Sequence, residues 1–123
     1  MLRDFKTFQL AKDYYIACKR LKLPLFLKEQ LLRASSSVAL NIAEGSGKWT
    51  EKDQKRFYSI AHGSLRECEA ILELEQIDNR ELQKLAGHLG RALFSLCKPV
   101  SKPDCKLQTV NSKLPTESNT KSE

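Results

Sequence analysis

The sequence predicts an all-α fold, an antiparallel up-down-up-down four-helix bundle followed by a disordered C-terminal tail. Three observations carry this expectation. From Phe5 to Cys97 apolar residues recur at steps of three and four, and no run alternates with a period of two. Pro24, the Gly45-Ser46-Gly47 triplet and Pro99 punctuate the runs. The connections they leave are short, which makes sequential helices antiparallel neighbours.

The first helix is expected from about Lys6 to Leu21, with Leu10, Tyr14, Ala17, Cys18 and Leu21 on one face. Leu23-Pro24 interrupts it. The second runs from about Phe26 to Glu44, with Leu27, Leu31, Ser35, Val38 and Ile42 as its apolar stripe. Gly45-Ser46-Gly47 should stop it, because glycine supplies the left-handed conformation that closes helices.

Thr50 is a good N-cap for the third helix, about Glu51 to Gln76. Its hydroxyl can accept an orphan backbone N–H, and Asp53 stands three residues on, as in a capping box. Phe57, Ile60, Ala61, Ser64, Leu65, Cys68, Ile71 and Leu72 form a long core stripe. Asp78 or Asn79 caps the fourth helix, about Arg80 to Cys97, whose stripe is Leu82, Leu85, Leu89, Leu93 and Leu96. Pro99 and Pro103 preclude continuation.

The chain of 123 residues allows one domain, with 1–98 as bundle and 99–123 as tail. The tail is rich in Ser, Thr, Asn, Lys and Pro, and its apolar residues are isolated. It cannot bury enough surface to offset ordering entropy. Charged residues at 29% and hydrophobic ones at 41% fit a soluble globular protein. No apolar run approaches the roughly 20 residues of a membrane span. Met1 to Lys6 lacks the apolar core of a secretory signal. A cytoplasmic protein without a membrane partner is expected.

Of the four cysteines, Cys18, Cys68, Cys97 and Cys105, none forms a CxxC. Neither histidine sits at zinc-finger spacing from them, so no metal or other cofactor is expected. The first three fall within helical patterns and read as small buried hydrophobes in a reducing compartment.

One stretch is more particular than amphipathic helix requires. Arg33-Ala34 is followed by small residues, then Asn41-Ile42-Ala43-Glu44-Gly45, a basic turn, and Gly63-Ser64-Leu65-Arg66-Glu67. This pattern resembles the four-helix-bundle proteins encoded within intervening sequences of bacterial 23S rRNA genes. The resemblance covers roughly Phe5 to Cys97. It implies a bundle that assembles as a cyclic homo-oligomer, typically a pentamer. More distantly the chain resembles the accessory protein of diversity-generating retroelements, a basic bundle that works with nucleic acid.

At about 100° per residue, Arg33, Ser37, Asn41 and Glu44 share one narrow face of the second helix. Ala34, Ala39 and Ala43 separate them and permit close approach of another helix. This suggests a polar network with Ser64 and Glu67, within the chain or between subunits, that fixes helix register. Arg33 would pair with Glu67 or Glu44, since its rigid fork of donors suits a carboxylate. Glu67 sits at the edge of the third stripe and would be expensive to bury alone.

The net charge of +6 is uneven. Residues 1–22 hold six bases against two acids, and residues 79–98 four bases against one. Residues 51–78 hold four bases against seven acids, mainly Glu69, Glu73, Glu75 and Asp78. Basic fields attract polyanions, and nucleic acid is the common cytosolic one. Candidate contacts to RNA or DNA are Lys12, Lys19, Arg20, Lys48, Trp49, Arg80, Lys84 and Arg91. Trp49 is either a stacking residue, a loop aromatic packed on the bundle end, or an oligomer contact.

Catalysis is not expected. His62 falls on the polar side of the third helix, and His88 stands next to core Leu89; neither has an evident nucleophile or metal partner. Gly45-Ser46-Gly47-Lys48 lacks the spacing of a phosphate-binding loop. No small-molecule substrate is implied. The expectation is a non-enzymatic oligomeric bundle associated with nucleic acid. The alternative is a protein-interaction scaffold with no such role.

Overall fold

The computed structural model describes residues 5–98. The expected tail, 99–123, and residues 1–4 lie outside the described residues, as does Cys105. Four helices form: α1 (Lys6–Lys19), α2 (Leu25–Ser46), α3 (Glu51–Leu74) and α4 (Arg80–Cys97). Each packs on its sequence neighbour, and α1 also packs on α4. The helices therefore close into a bundle with α1 diagonal to α3. Ser37 meets Ser64, and Gly45 meets Tyr58. These pairings run in opposite senses along α2 and α3, so the two helices are antiparallel.

The core forms where the stripes converge. Tyr14 and Cys18 from α1, Leu31, Val38 and Ile42 from α2, Leu65 and Cys68 from α3, and Leu82, Leu89 and Leu93 from α4 are all buried. Burying such side chains contributes roughly 1.5–3 kcal/mol each. Among the described residues no helix is long and apolar enough to cross a membrane.

The caps explain where the helices begin. The Thr50 hydroxyl accepts the Asp53 N–H at 3.1 Å. The Asn79 carboxamide accepts the Leu82 N–H at 3.0 Å, so Asn79 rather than Asp78 caps α4. Asp78 instead accepts from the Gln83 side chain at 3.2 Å. The Lys28 ammonium donates to the Leu21 carbonyl and ties down the α1–α2 turn.

Three expectations are corrected. First, α2 does not stop at Glu44 through a left-handed glycine. It continues through Gly45 to Ser46, and Gly47 caps it at φ −94°. Gly45 is buried inside the helix, where a Cβ would lie 2.8 Å from Cε1 of Tyr58. That glycine serves close approach rather than chain reversal. Second, the left-handed residue is Gln76, at φ 56°. Its N–H donates to Glu73 O at 3.0 Å and the Ile77 N–H to Leu72 O at 2.9 Å, a Schellman closure of α3.

Third, Ile60 is 45% exposed and Phe57 only half-buried, while Tyr58 is buried. The core line of α3 runs Tyr58, Ala61, Leu65, Cys68 and Ile71. Ile60 lies about 140° around the helix from Leu65 and is rotated out of it.

Candidate functional site

The motif residues gather at the seam between α2 and α3. Ser37 and Ser64 join their hydroxyls across it at 2.9 Å. Asn41, one turn beyond Ser37, donates from Nδ2 to the Ser37 carbonyl at 2.9 Å and to its Oγ at 3.0 Å. Small side chains let the helices come this close. Once close, hydroxyls and a carboxamide satisfy one another at a half-buried site, where an unmatched polar group is costly. The three residues act as a register pin between α2 and α3.

Arg33, Glu44 and Glu67 do not join that pin. All three are exposed. Glu44 pairs with Lys48 at 3.0 Å, one turn along. Among the described residues neither Arg33 nor Glu67 has an oppositely charged partner within 4.0 Å, so the expected pairing of Arg33 with Glu67 or Glu44 is not made within the chain. Both lie on the solvent side of the seam, where a long side chain finds water more easily than a partner.

The basic residues divide into three groups. Arg80, Lys84 and Arg91 are exposed and fall within about 40° of one another around α4, opposite its core line. Lys98 lies over the ring of Phe94 at 5.6 Å, and Phe94 itself is exposed. The α1–α4 seam opens into a groove of about 310 Å³ lined by Asp13, Ile16, Arg20, Glu81, Lys84 and Leu85. Acids and bases mix there, so the two helices do not merge into one uniformly basic face. Lys12 and Lys19 are exposed further round α1, outside that groove, with Lys19 over the Tyr15 ring at 5.4 Å.

The third group is the α2–α3 turn. Trp49 is 98% exposed, so it is not packed on the bundle end. Beside it, Lys48 and Arg56 both lie over the Phe57 ring, at 5.1 and 4.6 Å. The sequence reading missed this cation–aromatic cluster. Its signal was present, since Arg56 adjoins Phe57 and Lys48 stands in the turn before it.

The titratable groups of the interior offer little chemistry. Burial pushes the Cys18 thiol up to about 12, while the Ser35 hydrogen bond and the Lys28 charge act the other way. Burial likewise raises Cys68 and, less deeply, the half-buried Cys97. A thiol held protonated is a poor nucleophile. Among the described residues no group of three His, Cys, Asp or Glu could hold a metal ion. The buried Tyr14 hydroxyl has no hydrogen-bond partner among them. Tyr14 borders a cavity of about 160 Å³ between α3 and α4, and burial raises its pKa.

No curated protein and no solved structure matches the chain. The family model of the 23S rRNA-intervening sequence protein matches residues 5–96, which takes in all four helices and the whole α2–α3 pin. A match over that much of the sequence, on a four-helix all-α fold, shows that the chain belongs to the 23S rRNA-intervening sequence protein family.

Proposed function

We propose that this chain is a non-enzymatic, self-associating cytoplasmic protein that binds RNA or DNA electrostatically through the solvent face of α4. The observation that carries the reading is the exposed stripe of Arg80, Lys84 and Arg91, extended by Lys98. Glu81, the only acid of that helix, lies beside Arg80 and Lys84 at the edge of the stripe and also lines the groove toward α1. Aligned bases of this kind neutralise phosphates and release their counterions, which gives affinity without sequence preference. The exposed Trp49, between Lys48 and Lys52, adds a surface on which an unpaired base can stack. Self-association, as the pentamer implied by the family resemblance, repeats the stripe on one particle and multiplies the effect.

The test is a fluorescence-anisotropy titration with structured RNA, single-stranded RNA and duplex DNA at low and physiological salt. Binding should be strongest at low salt and fall steeply as salt rises. Each of Arg80→Glu, Lys84→Glu and Arg91→Glu should reduce the salt slope, by about one for each phosphate no longer neutralised. The triple variant should abolish binding with helical content unchanged. Absence of binding to all three probes at low salt would favour a protein scaffold instead.

A further inference from the structure

The outer surface over the α2–α3 seam is unpartnered, and its charges are complementary to themselves. The Ser37–Ser64 contact fixes the antiparallel register. In that register Arg33 on α2 stands at roughly the height of Glu67 on α3, and Leu40 at roughly the height of Ile60. Arg33 and Glu67 are both exposed and unpaired within the chain among the described residues. Leu40 is 65% and Ile60 45% exposed, so apolar surface accompanies the charges on this face. Gly63 adds no bulk: a Cβ there would meet nothing within 4 Å.

A two-fold axis lying in this surface, parallel to the seam, keeps height and exchanges left for right. It therefore sets each α2 over the other copy's α3 at the same level. Arg33 then meets Glu67 of the partner subunit, and Leu40 meets Ile60 of the partner subunit, each pairing occurring twice. Like charges at one height would instead repel across such an axis. We propose that the α2–α3 face docks a second copy of this chain in a two-fold contact, with Arg33 paired to Glu67 of the partner subunit. The inference rests on the self-association proposed above and adds to it a second, reciprocal contact, with its face and its charge pair. The contact is reciprocal, so it differs from the head-to-tail contacts of a ring and pairs subunits or rings in twos.

The experiment measures particle mass by light scattering for the full chain and for Arg33→Glu, Glu67→Arg and an equimolar mixture of the two variants. Circular dichroism checks that each remains helical; both sites are exposed, so it should. Each variant alone faces like charge and should have half the wild-type mass. In the mixture both pairs are restored between unlike copies, and the wild-type mass should return. A wild-type assembly that Arg33→Glu leaves intact would overturn this face, as would a mixture that stays at half mass. A wild-type mass of 14.0 kDa would instead remove the self-association beneath it.

Discussion

The α2–α3 seam and the α1–α4 seam join similar helices by different means. The first is pinned by the Ser37–Ser64 hydroxyl contact, which Asn41 buttresses from within α2, and by a glycine against which the Tyr58 ring lies. The second opens into a groove whose rim mixes Asp13, Arg20, Glu81 and Lys84. All four ion pairs among the described residues are local, three or four residues apart, so none bridges α1 and α4. Apolar burial holds both seams. Only the first adds a directional contact, Ser37 to Ser64, that penalises sliding or rotation. Of the residues that make the family pattern recognisable, Asn41, Gly45 and Ser64 sit where helix register is set, and the charges of Arg33 and Glu67 are left for water or a partner.

The largest effect expected bears on the core that both seams share. Cys18 is pushed up to about 12 by burial, and Cys68 and Tyr14 are raised by the same cause. An unfolded thiol ionises near its ordinary value of about 8.5. Below that pH both states hold the proton, and stability is indifferent to it. Above it the unfolded chain releases protons that the folded chain retains, so stability falls as pH rises toward about 12. The melting temperature should be level from pH 7 to 8 and decline progressively from pH 9 to 11. Cys18→Ala with Cys68→Ala should make the decline shallower. A melting temperature constant to pH 11 would count against these thiols being held neutral by burial.

Next in size is Gly45→Ala, which separates the pinned seam from ordinary helix. In a helix interior this change normally stabilises, by about 1 kcal/mol. At Gly45 the new methyl would lie 2.8 Å from the Tyr58 ring and 3.1 Å from Cβ of Phe57. Overpacking of this kind costs roughly 1–3 kcal/mol, so the sign should reverse. Gly63→Ala is the internal control, since nothing stands within 4 Å of its Cβ direction. Urea unfolding should show Gly45→Ala destabilised. Equal gains at both positions would mean that the α2–α3 approach is looser than described.

What could be read in advance follows from how local the cause is. Thr50 was legible as a cap, and Asn79 as one of two candidates with Asp78, because each hydrogen bond spans three residues of sequence. The helical periodicity was legible because burial repeats it turn after turn. Ser37, Asn41 and Ser64 were legible as a polar group, since the spacing of four in α2 needs only helix geometry. Phe57, Tyr58, Ile60 and Ala61 offered two overlapping stripes, and packing against the rest of the bundle chose the one through Tyr58. Gly45 looked like a stop because glycine as a chain reversal and glycine as a site of close approach look alike in sequence. Arg33 and Glu67 were the least legible. Long charged side chains reach solvent cheaply, and nothing in one chain compels them to meet.

The smallest effect tests the other side of the comparison. Asp13 and Glu81 face the α1–α4 groove with Arg20 and Lys84, which reads at first as a charge-stitched seam. All four are exposed, and no pair bridges the helices. Exposed charges gain little from one another in water, because screening and side-chain entropy consume the Coulomb attraction. Replacing Asp13 and Glu81 together by Ala should therefore change unfolding free energy by no more than about 0.5 kcal/mol. The same double change removes two negative charges beside the basic stripe of α4. Its measurable consequence should be tighter binding to an RNA probe at low salt, with the melting temperature held. A stability loss of several kcal/mol would show that these carboxylates stitch α1 to α4, and the two seams would then differ in geometry but not in kind.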